Sequence, residues 1–288
     1  ISGAKGRFLE VLEEHPDHIG SLIGMALCSL AERRYGIAEN YARRVVDGQT
    51  HNARSFVVLA RTLSAQKRFD AAKRELNEAL SLAPDDDSVR MELAGIHQAL
   101  NDPDAAQAQY REVLKRNPTH LGARSASARL FAKEGRHERA ISQYKEVARL
   151  HPEDPLPHYL MGKCYLRQHA HAAALSSFRA ALDRDERFLY ASLGIGDVHY
   201  LDKEYAQAET AYREIVSRRS GFAPAHLKLG MIHEIEGDFE SAVAEYELAF
   251  ASDPESPLAP IKLTQIHASK TGHIEQARAY LAVVEKLI

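Results

Sequence analysis

Alanine recurs at Ala4, Ala38, Ala72, Ala106, Ala140, Ala174, Ala208 and Ala242, every interval being 34 residues. A fixed period of this length, held along a chain of 288 residues, restricts the fold to stacked copies of one small structural unit. A ninth alanine, Ala277, follows after 35 residues, which predicts a one-residue insertion near Thr271–Gly272.

Other columns keep the same period. Twelve residues before each alanine stands a small residue: Ala26, Ala60, Ala94, Ala128, Gly162, Gly196 and Gly230, with Thr264 in the last unit. Four residues after it come Phe8, Leu76, Tyr110, Tyr144, Phe178, Tyr212 and Tyr246, with Ala42 as the exception. Twelve residues after it come Pro16, Pro84, Pro118, Pro152 and Pro254, replaced elsewhere by Thr50, Glu186 and Ser220. Apolar spacings of three and four inside a 34-residue period predict two short helices per unit. The small residues belong where two helices cross closely, and the bulky residue one turn on fills the space between units. Proline stops the second helix because it has no N–H for the next bond. Lys133-Glu134-Gly135-Arg136 and Glu236-Gly237-Asp238 read as turns between the two helices.

The totals are those of a soluble protein, 45% hydrophobic and 27% charged. A net charge of −3 gives no reason to expect nucleic acid or an anionic membrane as partner. No apolar run reaches the ~18 residues of a bilayer-spanning helix, and no signal peptide is visible. Cys28 and Cys164 are four periods apart, too far for a disulfide in a stack, so two buried thiols are expected. Free thiols fit the cytoplasm as compartment, with the bacterial periplasm as the alternative. A first residue of Ile1 in place of Met reads as a trimmed chain.

This pattern resembles the tetratricopeptide repeat over almost the whole chain. Leu229-Gly230, Gly237, Phe239, Ala242, Tyr246, Ala249 and Pro254 match that repeat closely. The units are placed at 19–52, 53–86, 87–120, 121–154, 155–188, 189–222, 223–256 and 257–288, forming one continuous domain, with 1–18 as the second helix of a truncated unit. The family's first-helix Tyr is kept at Tyr165 and replaced by His97, His199, His233 and His267, which are expected to pack between helices. The resemblance implies an all-α, right-handed α-solenoid of about eight helix-turn-helix repeats, with first helices lining a concave groove. The chain's last helix keeps apolar residues at Leu281, Val283, Val284, Leu287 and Ile288, so the ends read as uncapped and as candidates for self-association.

Carried over position by position, the family's concave surface here is basic at Arg54, Arg61, Arg129, Lys133, Lys163 and Arg167. Further on it turns apolar, at Leu156, Tyr159, Tyr190, Leu193, Leu227, Leu258 and Ile261, with Asp197 and Glu234 as inward acids. Such a surface suits a protein or peptide segment with an acidic part and apolar anchors. The competing reading keeps the basic residues as solubilising charge and packs the apolar ones against neighbouring helices. The family's carboxylate clamp is absent: its fifth positions here are Ile23, Val57, Met91, Ser125, Tyr159, Leu193, Leu227 and Ile261.

No phosphate loop, nucleophile elbow or paired-cysteine motif appears, so no catalytic residue and no cofactor are assigned. His15 with His18 and His169 with His171 lack a third ligand at metal spacing, so no metal site is assigned either. Asp85-Asp86-Asp87 reads as a helix start. No polar column of the kind that reads RNA recurs, and nucleic acid is not expected. The expected function is a non-enzymatic scaffold or adaptor that holds a partner segment in a larger assembly. The alternatives are the repeat portion of a bacterial secretion or exopolysaccharide-export apparatus, or the regulatory array of an enzyme whose catalytic domain lies elsewhere.

Overall fold

The computed structural model describes residues 2–48 and 52–288, so Thr50 lies outside the described residues. Seventeen α-helices and no strand occur among them. Two compact units result, one ending at Lys133 and the other starting at Glu134.

The first unit holds α1 (Ser2–Glu14), α2 (Ile19–Ala31), α3 (Tyr35–Asp47), α4 (Ala53–Ala65), α5 (Phe69–Leu82), α6 (Asp87–Ala99), α7 (Pro103–Arg116) and α8 (Leu121–Lys133). Consecutive helices pack as hairpins, and α2 also touches α4. Leu22, Val58, Leu59, Leu63, Leu76 and Leu93 form the core, each at most 2% exposed. A buried clasp joins α7 to α8: Gln107 donates to the Ser127 carbonyl at 3.0 Å and accepts from the Ser127 hydroxyl at 2.7 Å.

The second unit holds α9 (His137–Leu150), α10 (Leu156–Arg167), α11 (His171–Leu182), α12 (Leu189–Leu201), α13 (Tyr205–Arg218), α14 (Ala223–Glu236), α15 (Phe239–Ser252), α16 (Leu258–Ile266) and α17 (Ile274–Leu287). Its core is built on rings, with Phe178, Tyr212 and Tyr246 fully buried. Each such ring contributes roughly 2–3 kcal/mol by area alone. They fit because glycine faces them. A Cβ built on Gly196 would meet the Tyr212 ring at 2.4 Å, and one on Gly230 the Tyr246 ring at 2.5 Å.

The alanine column is buried from Ala38 through Ala242 at 0% exposure and at Ala277 at 6%, whereas Ala4 on α1 is exposed. The insertion expected near Thr271 takes the form of a π-helical turn, His267–Thr271, closed by Gly272 at φ +71°. The extra residue widens one helical turn, and the alanine register resumes on α17.

Between paired helices one residue adopts a left-handed backbone: Arg33, Lys67, Asn101, Gly135, His169, Lys203 and Gly237, then Gly272. Five of these are not glycine, which strains a backbone that L-residues avoid. A second column precedes the first helices. His18 accepts the Ser21 N–H at 3.2 Å, Asn52 that of Arg54 at 3.0 Å, Asp86 that of Ser88 at 2.8 Å, His120 that of Ala123 at 3.0 Å and Asp154 that of Leu156 at 2.9 Å. Each satisfies a backbone donor that the helix start leaves open. The same column holds Phe188 and Phe222 ahead of α12 and α14, and those starts have no side-chain cap.

Arginines tie neighbouring hairpins together. Arg116 donates to the Pro84 carbonyl at 3.0 Å, Arg184 to that of Pro152 at 3.3 Å and Arg218 to that of Glu186 at 3.1 Å. Each acceptor lies 32 residues earlier, just past the end of the preceding second helix. His226 does similar work, bonding the Ser220 carbonyl at 2.7 Å and Glu245 at 2.6 Å.

Candidate protein-binding face

In the second unit the first helices α10, α12, α14 and α16 present one face. Its floor is a chain of polar ties. The buried Tyr212 hydroxyl donates to Asp197 at 2.8 Å, and Lys228 of the next first helix reaches the same carboxylate at 2.9 Å. One hairpin later the Tyr246 hydroxyl donates to Glu234 at 2.8 Å, and Lys262 reaches that carboxylate at 3.2 Å. Burial and the adjoining carboxylates push both phenols well above the ordinary tyrosine range, so both stay protonated as donors. Both inward acids are therefore neutralised within the molecule.

Above this floor the apolar positions divide. Leu193, Leu227 and Tyr159 are half-buried and pack against the cores beneath them. Leu156, Tyr190 and Leu258 stand out at 43%, 48% and 56% exposure. The first three thus pack against neighbouring helices, while the second three each leave about half of their surface open, Tyr190 although it also meets neighbouring rings. Lys163 lies 5.6 Å from the centre of the Tyr159 ring, within cation–π range. Lys163 and Arg167 are exposed and have no carboxylate partner among the described residues.

In the first unit Arg54, Arg129 and Lys133 are exposed, without a carboxylate partner among the described residues. Arg61 differs: its Nε donates to both oxygens of Glu92 on α6 at 2.9 and 3.0 Å. That pair sits in a cleft of about 670 Å³ also lined by Leu30, Tyr35 and Ile96. Arg61 therefore serves first as a tie between α4 and α6.

The histidines at the family's Tyr position pack inward, with His233 9% and His267 5% exposed, and His199 bonds Glu204 across the turn at 2.6 Å. His171 bonds Asp202 at 2.5 Å. Among the described residues no three His, Cys, Asp or Glu side chains converge as a metal site, and no helix is long and apolar enough to cross a membrane. Cys28 and Cys164 are both free thiols. Asp86 caps α6, while Asp85 and Asp87 pair with Arg116.

Two family profiles described as tetratricopeptide repeat match the chain, at residues 29–96 and at 91–155, 159–224 and 205–257. The chain belongs to the tetratricopeptide repeat family. Solved structures agree on the fold. The C-terminal part of a repeat protein from Cytophaga hutchinsonii matches with TM-score 0.64 at 18% identity, covering 82% of this chain and 97% of that one. A repeat protein from Parabacteroides merdae matches with TM-score 0.64 at 14% identity, covering 91% and 98%. The pilF protein of Pseudomonas aeruginosa matches with TM-score 0.55 at 20% identity, covering 76% and 97%. Among curated proteins none matches the sequence significantly. Proteins built from this repeat are in general non-catalytic, and the fold of this chain implies a protein-interaction scaffold.

Proposed function

We propose that this protein holds a segment of a partner protein, with an acidic group and apolar anchors, on the first-helix face of its second unit. The observation that carries the reading is an imbalance. The face exposes Leu156, Tyr190 and Leu258, and its only inward acids, Asp197 and Glu234, are already satisfied by Lys228, Lys262 and two tyrosines. What is left over is apolar surface with the positive charge of Lys163 and Arg167 beside its first rung. Large apolar residues left standing on a rigid surface are the usual carriers of binding energy, and unpaired cations select the sign of the partner. Within the first unit, Arg54, Arg129 and Lys133 are exposed cations of the same sign. No group in this arrangement is set up as a nucleophile or a general base.

The test is a crosslinking capture from native lysate with wild type beside two folded variants, Lys163→Glu/Arg167→Glu and Leu156→Ser/Leu258→Ser. Loss of the same protein from both variants supports the face. Capture unchanged by either variant overturns it.

A further inference from the structure

The polar capping column breaks at two places only among the residues leading into α4, α6, α8, α10, α12, α14 and α16: Phe188 and Phe222. Giving up a cap leaves a backbone donor of the helix start without its side-chain partner. Both rings lie beside the one aromatic of this face that stands out. Tyr190 meets Phe222 edge-on at 5.3 Å between centroids and lies 6.2 Å from Phe188 and from Tyr159. Tyr159 in turn meets Phe188 edge-on at 5.4 Å. Three rings therefore hold Tyr190, which is nevertheless 48% exposed, with no partner for its hydroxyl among the described residues. A ring fixed before binding loses little freedom on binding. The chain of rings ends in a cation on each side: Lys163 over Tyr159 at 5.6 Å and Arg219 over Phe222 at 5.8 Å. Neither cation has a carboxylate partner among the described residues.

We infer that Tyr190 is the anchor for a proline or aromatic side chain of an extended acidic peptide, whose carboxylates on either side of that residue pair with Lys163 and Arg219. This rests on the protein-binding reading above and names the chemistry of the segment bound. A proline or aromatic ring stacks on an exposed tyrosine without demanding hydrogen bonds. Two cations suit a short acidic peptide and fall short of a polynucleotide, which is gripped through many phosphates.

The chain has no tryptophan, so a tryptophan-bearing probe is the sole source of indole emission. The experiment titrates the full chain into Asp-Glu-Pro-Trp-Asp-Glu and reads that emission. The comparison probes are the same peptide with Lys for each acid, the same length with Ser-Ser for Pro-Trp (read by competition), and a labelled dT10 oligonucleotide. The expected result is saturable binding of the first probe, weakened at least tenfold by Tyr190→Ser and by Lys163→Gln/Arg219→Gln, with helical circular dichroism and melting unchanged. Equal binding of the basic or the Ser-Ser peptide, or no effect of Tyr190→Ser, overturns the inference. Tighter binding of dT10 overturns it in favour of a nucleic-acid partner. Because Tyr190 is exposed, its loss leaves the core intact; should it alter melting, Tyr190→Phe separates ring from fold by keeping the affinity. If the lysate capture above succeeds on the Leu156/Leu258 face while this peptide fails, the protein-binding reading stands and only the acidic-aromatic assignment falls.

Discussion

Phe178 lies against Gly194 so closely that a Cβ built on the glycine would be 2.6 Å from the ring. Gly162 closes the other side, where a Cβ would be 2.5 Å away. The ring is thus clasped between α10 and α12, two successive first helices. Phe8 and Gly24 repeat the relationship at 2.5 Å, again with the glycine sixteen positions after the ring. Where the bulky column holds Tyr or Leu, the residue sixteen further on is larger: Glu92, Ala126, Leu160, Lys228 or Lys262.

Gly194→Ala is therefore expected to destabilise the protein. A methyl driven into a closed contact costs typically 1–3 kcal/mol, and alanine returns about 1 kcal/mol of helix propensity. The net loss is up to about 2 kcal/mol, read as a lower denaturant midpoint. The double variant Gly194→Ala/Phe178→Leu should recover part of that loss, because Leu76 already fills the same column elsewhere. Additive losses would show that the clasp is not the cause.

A turn substitution should act in the opposite direction. Lys203 has φ +63° and joins α12 to α13 in a left-handed conformation that glycine adopts freely at Gly237. Lys203→Gly is expected to stabilise by about 0.5–1 kcal/mol, and Lys203→Val to destabilise, since a β-branched side chain suits that backbone least. Paired thermal melts of the two variants check the sign.

Acid should weaken the C-terminal hairpin through His267. Burial, and then the neighbouring His273, hold its imidazole below the ordinary 6.5, with Glu247 opposing. The ring stacks on Tyr280 at an interplanar angle of 4°. A histidine with a lowered folded-state value binds its proton more readily when unfolded. Its stability is present above about pH 6.5 and falls as pH drops through that value toward the folded one, then levels off. His267→Tyr, which restores the residue found three repeats earlier at Tyr165, is expected to flatten that part of a stability-versus-pH curve. An unchanged slope would assign the acid loss to another group, such as His158, which burial also lowers.

The sequence made the repeat, its two-helix unit and its close-packed columns legible because each is a periodic constraint on side-chain size. It also located the irregularity before Ala277, which the backbone absorbs as a π-helical turn. The left-handed column was half hidden, since Gly135 and Gly237 signal it while Arg33, Lys67 and His169 do not. The capping column and its aromatic breaks at Phe188 and Phe222 were readable in principle, being spaced by the same period. The pairing of Arg61 with Glu92 was not, nor was the division of Tyr190 from Leu193. Those depend on which side chain reaches across to the next helix, and a position in a repeat does not specify that.

Removing one tie in the floor of the face should alter binding more than stability. Lys228 neutralises Asp197 at 2.9 Å, and both side chains are about a quarter exposed. Lys228→Met keeps most of the aliphatic stem, removes the ammonium that stands 5.9 Å over the Tyr200 ring, and leaves the Asp197 charge facing the bound segment. The Tyr212 hydroxyl still donates to Asp197, so the carboxylate is not stranded and the fold is expected to lose less than about 1 kcal/mol. A negative charge next to an acidic segment repels it, more strongly at low salt than at high. Capture of the partner by Lys228→Met should thus fall at 50 mM salt (~14 Å screening length) and recover toward wild type at 500 mM. Asp197→Asn in the same background removes the exposed charge and should restore capture at low salt. Loss of capture that ignores both salt and the second substitution would mean that Lys228 contacts the partner itself and does not act by silencing Asp197.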